Sequence, residues 1–348
     1  WAPDTIAHLL TILPGNKHLW ERVSEFGTAV ENLYWRRMLA HLLPNTPGAD
    51  FEFLATKLIE HERAQDAVRI LVLGKNIVRD SLLADALEAA ADQPLSEGSV
   101  EHNATMFQYY VEELLQRLDE SGEVSDERVA LIEWRYLPVL LHSRRTTLTL
   151  HKAMAQLPEL FVMVIRTLYK PDPESGLVEK PLAAERNAEL LASRAYDLLR
   201  SWSLVPGSDG SSVDAAILEE WVEKTRLLCD EIGRRRVGDH CIGQMLAHAP
   251  AAENGIWPAK AVREVIKITR NQDLDNGVVQ GLFNKRGATW RDPSAGGAPE
   301  RSLSGQYKSW AREMELEWPR TSAILEQVAR MYENHGRAMD DDSERRNW

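Results

Sequence analysis

Residues 50–74, DFEFLATKLIEHERAQDAVRILVLG, hold two helical patterns back to back. Asp50 belongs to the residue types that cap the free amides of a helix start, so a helix is expected from Phe51. Glycine is the usual residue just past a helix end, and Gly74 is placed to close the second helix. Ala64, Ala67, Val68 and Leu71 fall three and four apart and share one face. Small residues facing long aliphatic ones at this spacing predict a tightly packed helical hairpin.

The same rhythm extends in both directions. A short helix is expected over 5–13 and a longer one over 17–43, whose stripe is Leu19, Val23, Phe26, Val30, Leu33, Tyr34 and Met38. Further helices are expected over 80–91, over 102–118 with Met106, Tyr109, Tyr110, Leu114 and Leu118 as its apolar edge, and from 125 to a kink or end at Pro138. Then come 148–155 and 158–169, the most apolar helix and an expected centre of the core. The stretch PDPESGLVEKP at 171–181 reads as a linker and divides the chain into helical halves 1–170 and 171–348. Beyond it, helices are expected over 182–202, 215–233, 239–248, 258–269, 300–318 and 319–339. Ser211 and Asp214 fit a capping box ahead of the helix at 215, whose apolar side reads as Ile217, Leu218, Trp221, Leu227 and Leu228. No alternating run marks a strand. Helix pairs of roughly 30 to 45 residues without a strict period predict an all-α, irregular helical-repeat solenoid of the tetratricopeptide or HEAT type.

Composition narrows the function. With 44% apolar residues the 348-residue chain can build a continuous core, and a net charge of −12 opposes non-specific attraction to nucleic acid or an anionic membrane. The longest apolar run, 157–165, is broken by Pro158 and Glu159 and is far short of the ~20 residues that span a bilayer. Cys229 and Cys241 are too few for a disulfide framework or a four-ligand zinc site and read as buried thiols in a cytoplasmic protein. A start at Trp1 without a leader pattern reads as the C-terminal part of a longer chain.

The stretch 277–312, GVVQGLFNKRGATWRDPSAGGAPERSLSGQYKSWAR, looks built for more than filling a stack. Lys285, Arg286, Arg291, Arg301, Lys308 and Arg312 outnumber Asp292 and Glu300, and Trp290, Tyr307 and Trp310 are interleaved. Around a glycine-rich loop at 284–300, such a mixture offers charge and stacking to a partner. The expected contact residues are Arg286, Trp290, Arg291, Arg301 and Trp310, for a protein partner or, as the alternative, nucleic acid. A purely structural loop, pinned by Trp290, would use the same residues.

Catalytic signatures are weak. His61-Glu62 lacks the second histidine of H-E-x-x-H, and the glycines follow no strand and form no phosphate-binding loop. Asp239, His240 and Cys241 are adjacent, which points their side chains apart on a helix. An enzyme whose site converges from distant helices would draw on His240, Cys241 and Arg286. Arg234, Arg235 and Arg236 follow a helix end, where cations complement the macrodipole, and Asp340, Asp341 and Asp342 read as a solvated tail. No cofactor or metal site is expected.

Several phrases resemble the C-terminal helical region of large bacterial multidomain proteins: residues 131–137 (LIEWRYL), 150–152 (LHK), 238–243 (GDHCIG), 255–258 (GIWP), 284–287 (NKRG), Trp290-Arg291, Gly296-Gly297, Glu300-Arg301, Tyr307, Trp310-Ala311 and 319–321 (PRT), with Leu246-Ala247, Ala329 and Tyr332. The layout is similar to that of bacterial STAND-type defence NTPases. The resemblance implies an accessory, non-enzymatic sensor or scaffold region, by analogy of layout in anti-phage defence, and it carries no catalytic residues over to this chain.

Overall fold

The computed structural model describes residues 1–39, 47–91, 93, 100–140, 148–177, 185–286 and 296–346. The chain is all-helical; among these residues the one β-type pairing is an isolated bridge between Ser208 and Val213. Two compact units result, Trp1–Leu150 and His151–Trp348.

The first unit contains α1 (Pro3–Ile12), α2 (Lys17–Arg22), α3 (Thr28–Arg37), α4 (Gly48–Glu60), α5 (Ala64–Gly74), α6 (Asp80–Ala91), α7 (Val100–Ser121) and α8 (Asp126–Leu140). Helices next in sequence pack together, as in α4 on α5, α5 on α6 and α7 on α8. The hairpin expected from residues 50–74 is present, with Ala64, Ala67, Val68 and Leu71 fully buried. Gly74 does more than end a helix: a Cβ there would sit 2.7 Å from the Phe51 ring. Asp50 lies in the first turn of α4, which starts at Gly48, so it favours the macrodipole rather than capping. The helix expected over 17–43 is instead α2, a 3-10 turn at Val23–Phe26 and α3, separated where Gly27 adopts φ +92. Phe26 is consequently exposed, and residues 40–46 lie outside the described set. On α7 the core is met by Val111, Leu114, Leu115 and Leu118, whereas Met106 and Tyr109 are exposed. Pro138 does not stop α8, which runs on to Leu140.

The second unit holds α9 (Leu148–Gln156), α10 (Pro158–Leu168), α11 (Glu185–Ser201), α12 (Ala215–Glu231), α13 (Arg235–Leu246), α14 (Lys260–Thr269), α15 (Gln272–Asn284), α16 (Ala298–Met314) and α17 (Pro319–Arg346). The division expected at 170/171 is displaced, because α10 packs on α11 and α12. Phe161 of α10, Trp202 and Trp221 of α12 form an aromatic cluster with centroids 5.4–5.7 Å apart. The linker-like stretch is tied down as well, since Asp172 N donates to Gly233 O at 2.7 Å. Asp214 itself caps α12, accepting from the amides of Ala216 and Ile217, while Ser211 bonds Asp209 instead of forming the expected capping box. Helices α13 and α15 touch backbone to backbone, since a Cβ on Gly243 or Gly277 would collide with a carbonyl of the other helix. Gly297 and Gly336 allow a similar approach of α16 to α17.

A candidate binding groove

The stretch 277–312 is organised differently from its sequence reading. Gly277 and Gly281 belong to α15, a helix not expected from the sequence, and residues 287–295, with Trp290 and Arg291, lie outside the described set. Arg286 turns inward: its Nη1 donates to Glu300 Oε1 at 2.8 Å, Glu300 is 1% exposed, and the guanidinium lies 5.9 Å from the Tyr332 ring centroid. Arg301 pairs with Asp340, which also accepts from Gly297 N at 2.8 Å, so Asp340 is part of α17 and not of a solvated tail. Lys308 pairs with Glu333 at 2.7 Å. Trp310 packs edge-on to Tyr307, which stacks on Tyr332. Arg301 and Lys308 are therefore compensated by acids 39 and 25 residues away in sequence, beyond the stretch 277–312, and Arg286 by Glu300 within it.

The catalytic nominees are also separated. Burial pushes the thiols of Cys229 and Cys241 up to about 12, which withholds the thiolate that a cysteine nucleophile needs. His240 Nε2 lies 2.9 Å from Gln280 Oε1, and Asp239 is fully buried between two arginines. The three neighbours in sequence thus serve three different surroundings. Among the described residues no group of three or more His, Cys, Asp or Glu could hold a metal ion, and no helix is long and apolar enough to cross a membrane.

The arginine run resolves into three roles. Arg234 is buried and donates to the carbonyls of Tyr169 and Ile232, at the ends of α10 and α12, as the macrodipole reading expects. Arg236 is exposed, 3.7 Å from Asp273. Arg235 shares Asp239 with Arg226. Arg226 grips it at 2.7 and 3.1 Å, and Arg235 adds a contact of 3.3 Å and a bond to Arg226 O.

These two arginines line a cavity of about 350 Å³ between α12 and α14. Glu219, Val222, Glu223, Arg226 and Leu227 line it from α12, and Val265, Ile268 and Thr269 from α14. The spacings of three and four on both helices make it a groove running along two helical faces. Leu227 is 57% exposed and Ile268 60%, so these two side chains of the lining are open to water, while Val222 and Val265 are buried. Glu219 and Glu223 have no ion-pair partner among the described residues. Sequence periodicity missed this surface by assigning Leu227 to the core, which α12 fills with Leu218, Trp221, Val222, Thr225 and Cys229.

A second cavity of about 580 Å³ lies among α9, α10, the 202–214 turn and α12, with Lys152, Pro158, Val205, Ile217, Trp221 and Lys224 in its lining. Its turn is held by Asp209, which accepts from the amides and hydroxyls of Ser211 and Ser212 and is thereby kept well below the usual carboxylate range. Lys224 is already paired with Glu159 at 2.6 Å. No protein-family model matches the chain, and no curated protein or solved structure matches it either.

Proposed function

We propose that this chain is a non-enzymatic helical-repeat region that recognises a protein segment and serves as a sensor or scaffold, the role implied by its resemblance to the C-terminal helical regions of large bacterial multidomain proteins. The observation that carries the reading is the α12/α14 groove, where exposed Leu227 and Ile268 stand beside two arginines fixed by a buried aspartate. Fixed polar groups next to uncovered apolar side chains are the ingredients of a protein-binding hot spot. Two further observations weigh against the rivals. The thiols are buried, and the cations Arg286, Arg301 and Lys308 are each paired with an acid of the same chain, which lowers the positive charge left for a phosphate backbone.

Pull-down of a partner from the source cell tests the reading. Retention should persist between ~0.1 and ~1 M salt, because apolar burial is not screened. It should be lost with Ile268→Asp and kept with Leu316→Asp, a change at a fully exposed leucine outside the groove. Retention of nucleic acid that falls steeply with salt would overturn it.

A further inference from the structure

The groove has two chemically distinct ends. Glu219 and Glu223 stand one turn apart near the start of α12, both exposed and without an ion-pair partner among the described residues. Arg226 and Arg235 stand toward its end, where two guanidiniums share one carboxylate and leave an excess positive charge. From Glu219 to Leu227 the groove follows α12 for about 12 Å at 1.5 Å per residue. Between the ends the walls are Val222, Val265 and Ile268. A furrow between two helices, apolar along its length and lined at three- and four-residue spacing, suits the apolar stripe of a third helix.

We infer that the groove docks an amphipathic helix of a partner protein, lying antiparallel to α12, with acidic residues in its first turn against Arg226 and Arg235 and basic residues in its last turn against Glu219 and Glu223. The inference rests on the protein-recognition reading and adds the partner's chemistry and direction. Direction follows from two agreeing preferences. Charge complementarity places acids at the arginine end, and the helix macrodipole favours acids in the first turn and bases in the last. A helix parallel to α12 would satisfy only one of them.

Two synthetic peptides of roughly three turns, whose first and last turns stand about 11 Å apart, provide the test. They share composition and a leucine stripe; one carries glutamates first and lysines last, and the other has these exchanged. Measured by fluorescence anisotropy, the first should bind about tenfold more tightly, an advantage that shrinks at high salt. The Glu219→Lys, Glu223→Lys double variant, which makes both ends of the groove positive, should erase the preference between the two peptides, while Ile268→Asp and Leu227→Asp should each abolish binding of both peptides. All four positions are exposed, and an unchanged far-ultraviolet spectrum confirms that the variants fold. Affinities within twofold of each other, or binding indifferent to Ile268→Asp, would overturn the inference. Failure of the peptide preference with an Ile268-sensitive partner still retained sinks the charge order alone; a pull-down with no such partner sinks the broader reading.

Discussion

Asp239 is the most consequential single residue of the groove. It is fully buried, and its charge is tolerable because Arg226 binds both carboxylate oxygens and Arg235 one of them. Arg226→Met should therefore cost about 3 kcal/mol in urea denaturation, since it leaves a buried carboxylate with Arg235 alone. The double variant Arg226→Met, Asp239→Leu should cost less than Arg226→Met by itself, and a larger loss would contradict the stranded-charge account. His151 offers a pH-dependent counterpart. Burial pushes its ring down to about 4 from 6.5, so the fold favours the neutral form. As the unfolded chain takes up the proton first, this contribution is complete above pH 6.5 and is lost as pH falls toward 4. His151→Gln should flatten the stability profile across that window, by on the order of 1–3 kcal/mol. Reactivity of the thiols gives a third check. Cys229 and Cys241 should resist a thiol reagent at pH 8 in the native protein and react fully in denaturant.

At the level of the helices, glycine is used where backbones must meet. A Cβ on Gly277 would overlap the His240 carbonyl, an atom that cannot move aside without shifting α13. Gly277→Ala should lower stability by more than about 3 kcal/mol, whereas Gly305→Ala, where nothing lies within 4 Å of the new methyl, should be neutral or slightly stabilising on α16. Helix existence was largely legible in the sequence because each stripe is local, and α6 is found over 80–91 as expected; α15 is the exception, a helix in the stretch 270–299 where none is expected and where Gly277 and Gly281 lower helix propensity. Helix faces were less legible. The apolar set 217, 218, 221, 227 and 228 spans too wide an arc at about 100° per residue to be one face, and Ile217 and Leu227 prove to lie outside the buried one. The five contact residues chosen from 277–312 had the same difficulty in another form. Composition showed Arg286 and Arg301, but their partners Glu300 and Asp340 were assigned by the fold.

For the molecule as a whole, fold class followed from the uniform rhythm of stripes and turns, and circular dichroism should show a helical spectrum without a strand component. The boundary between units did not follow, because it depends on contacts between residues far apart. Residues 171–177 have the composition of a linker, yet they lie within the second unit, with Asp172 bonded to Gly233 and Arg234 reaching back to Tyr169. Replacing Arg234, which is 2% exposed, with Ala should therefore destabilise the second unit by about 2–4 kcal/mol rather than merely loosen a connector, as a differential scanning calorimetry trace would show.

The glycine-to-carbonyl crossing of α13 and α15 bears on how this unit opens. Where two main chains abut, no side-chain layer can rearrange to admit solvent by degrees, so the pair must part entirely or not at all. Deuterium uptake at residues 240–246 and 274–281 should accordingly lag behind every other segment of the second unit and rise in a single step with the onset of global unfolding.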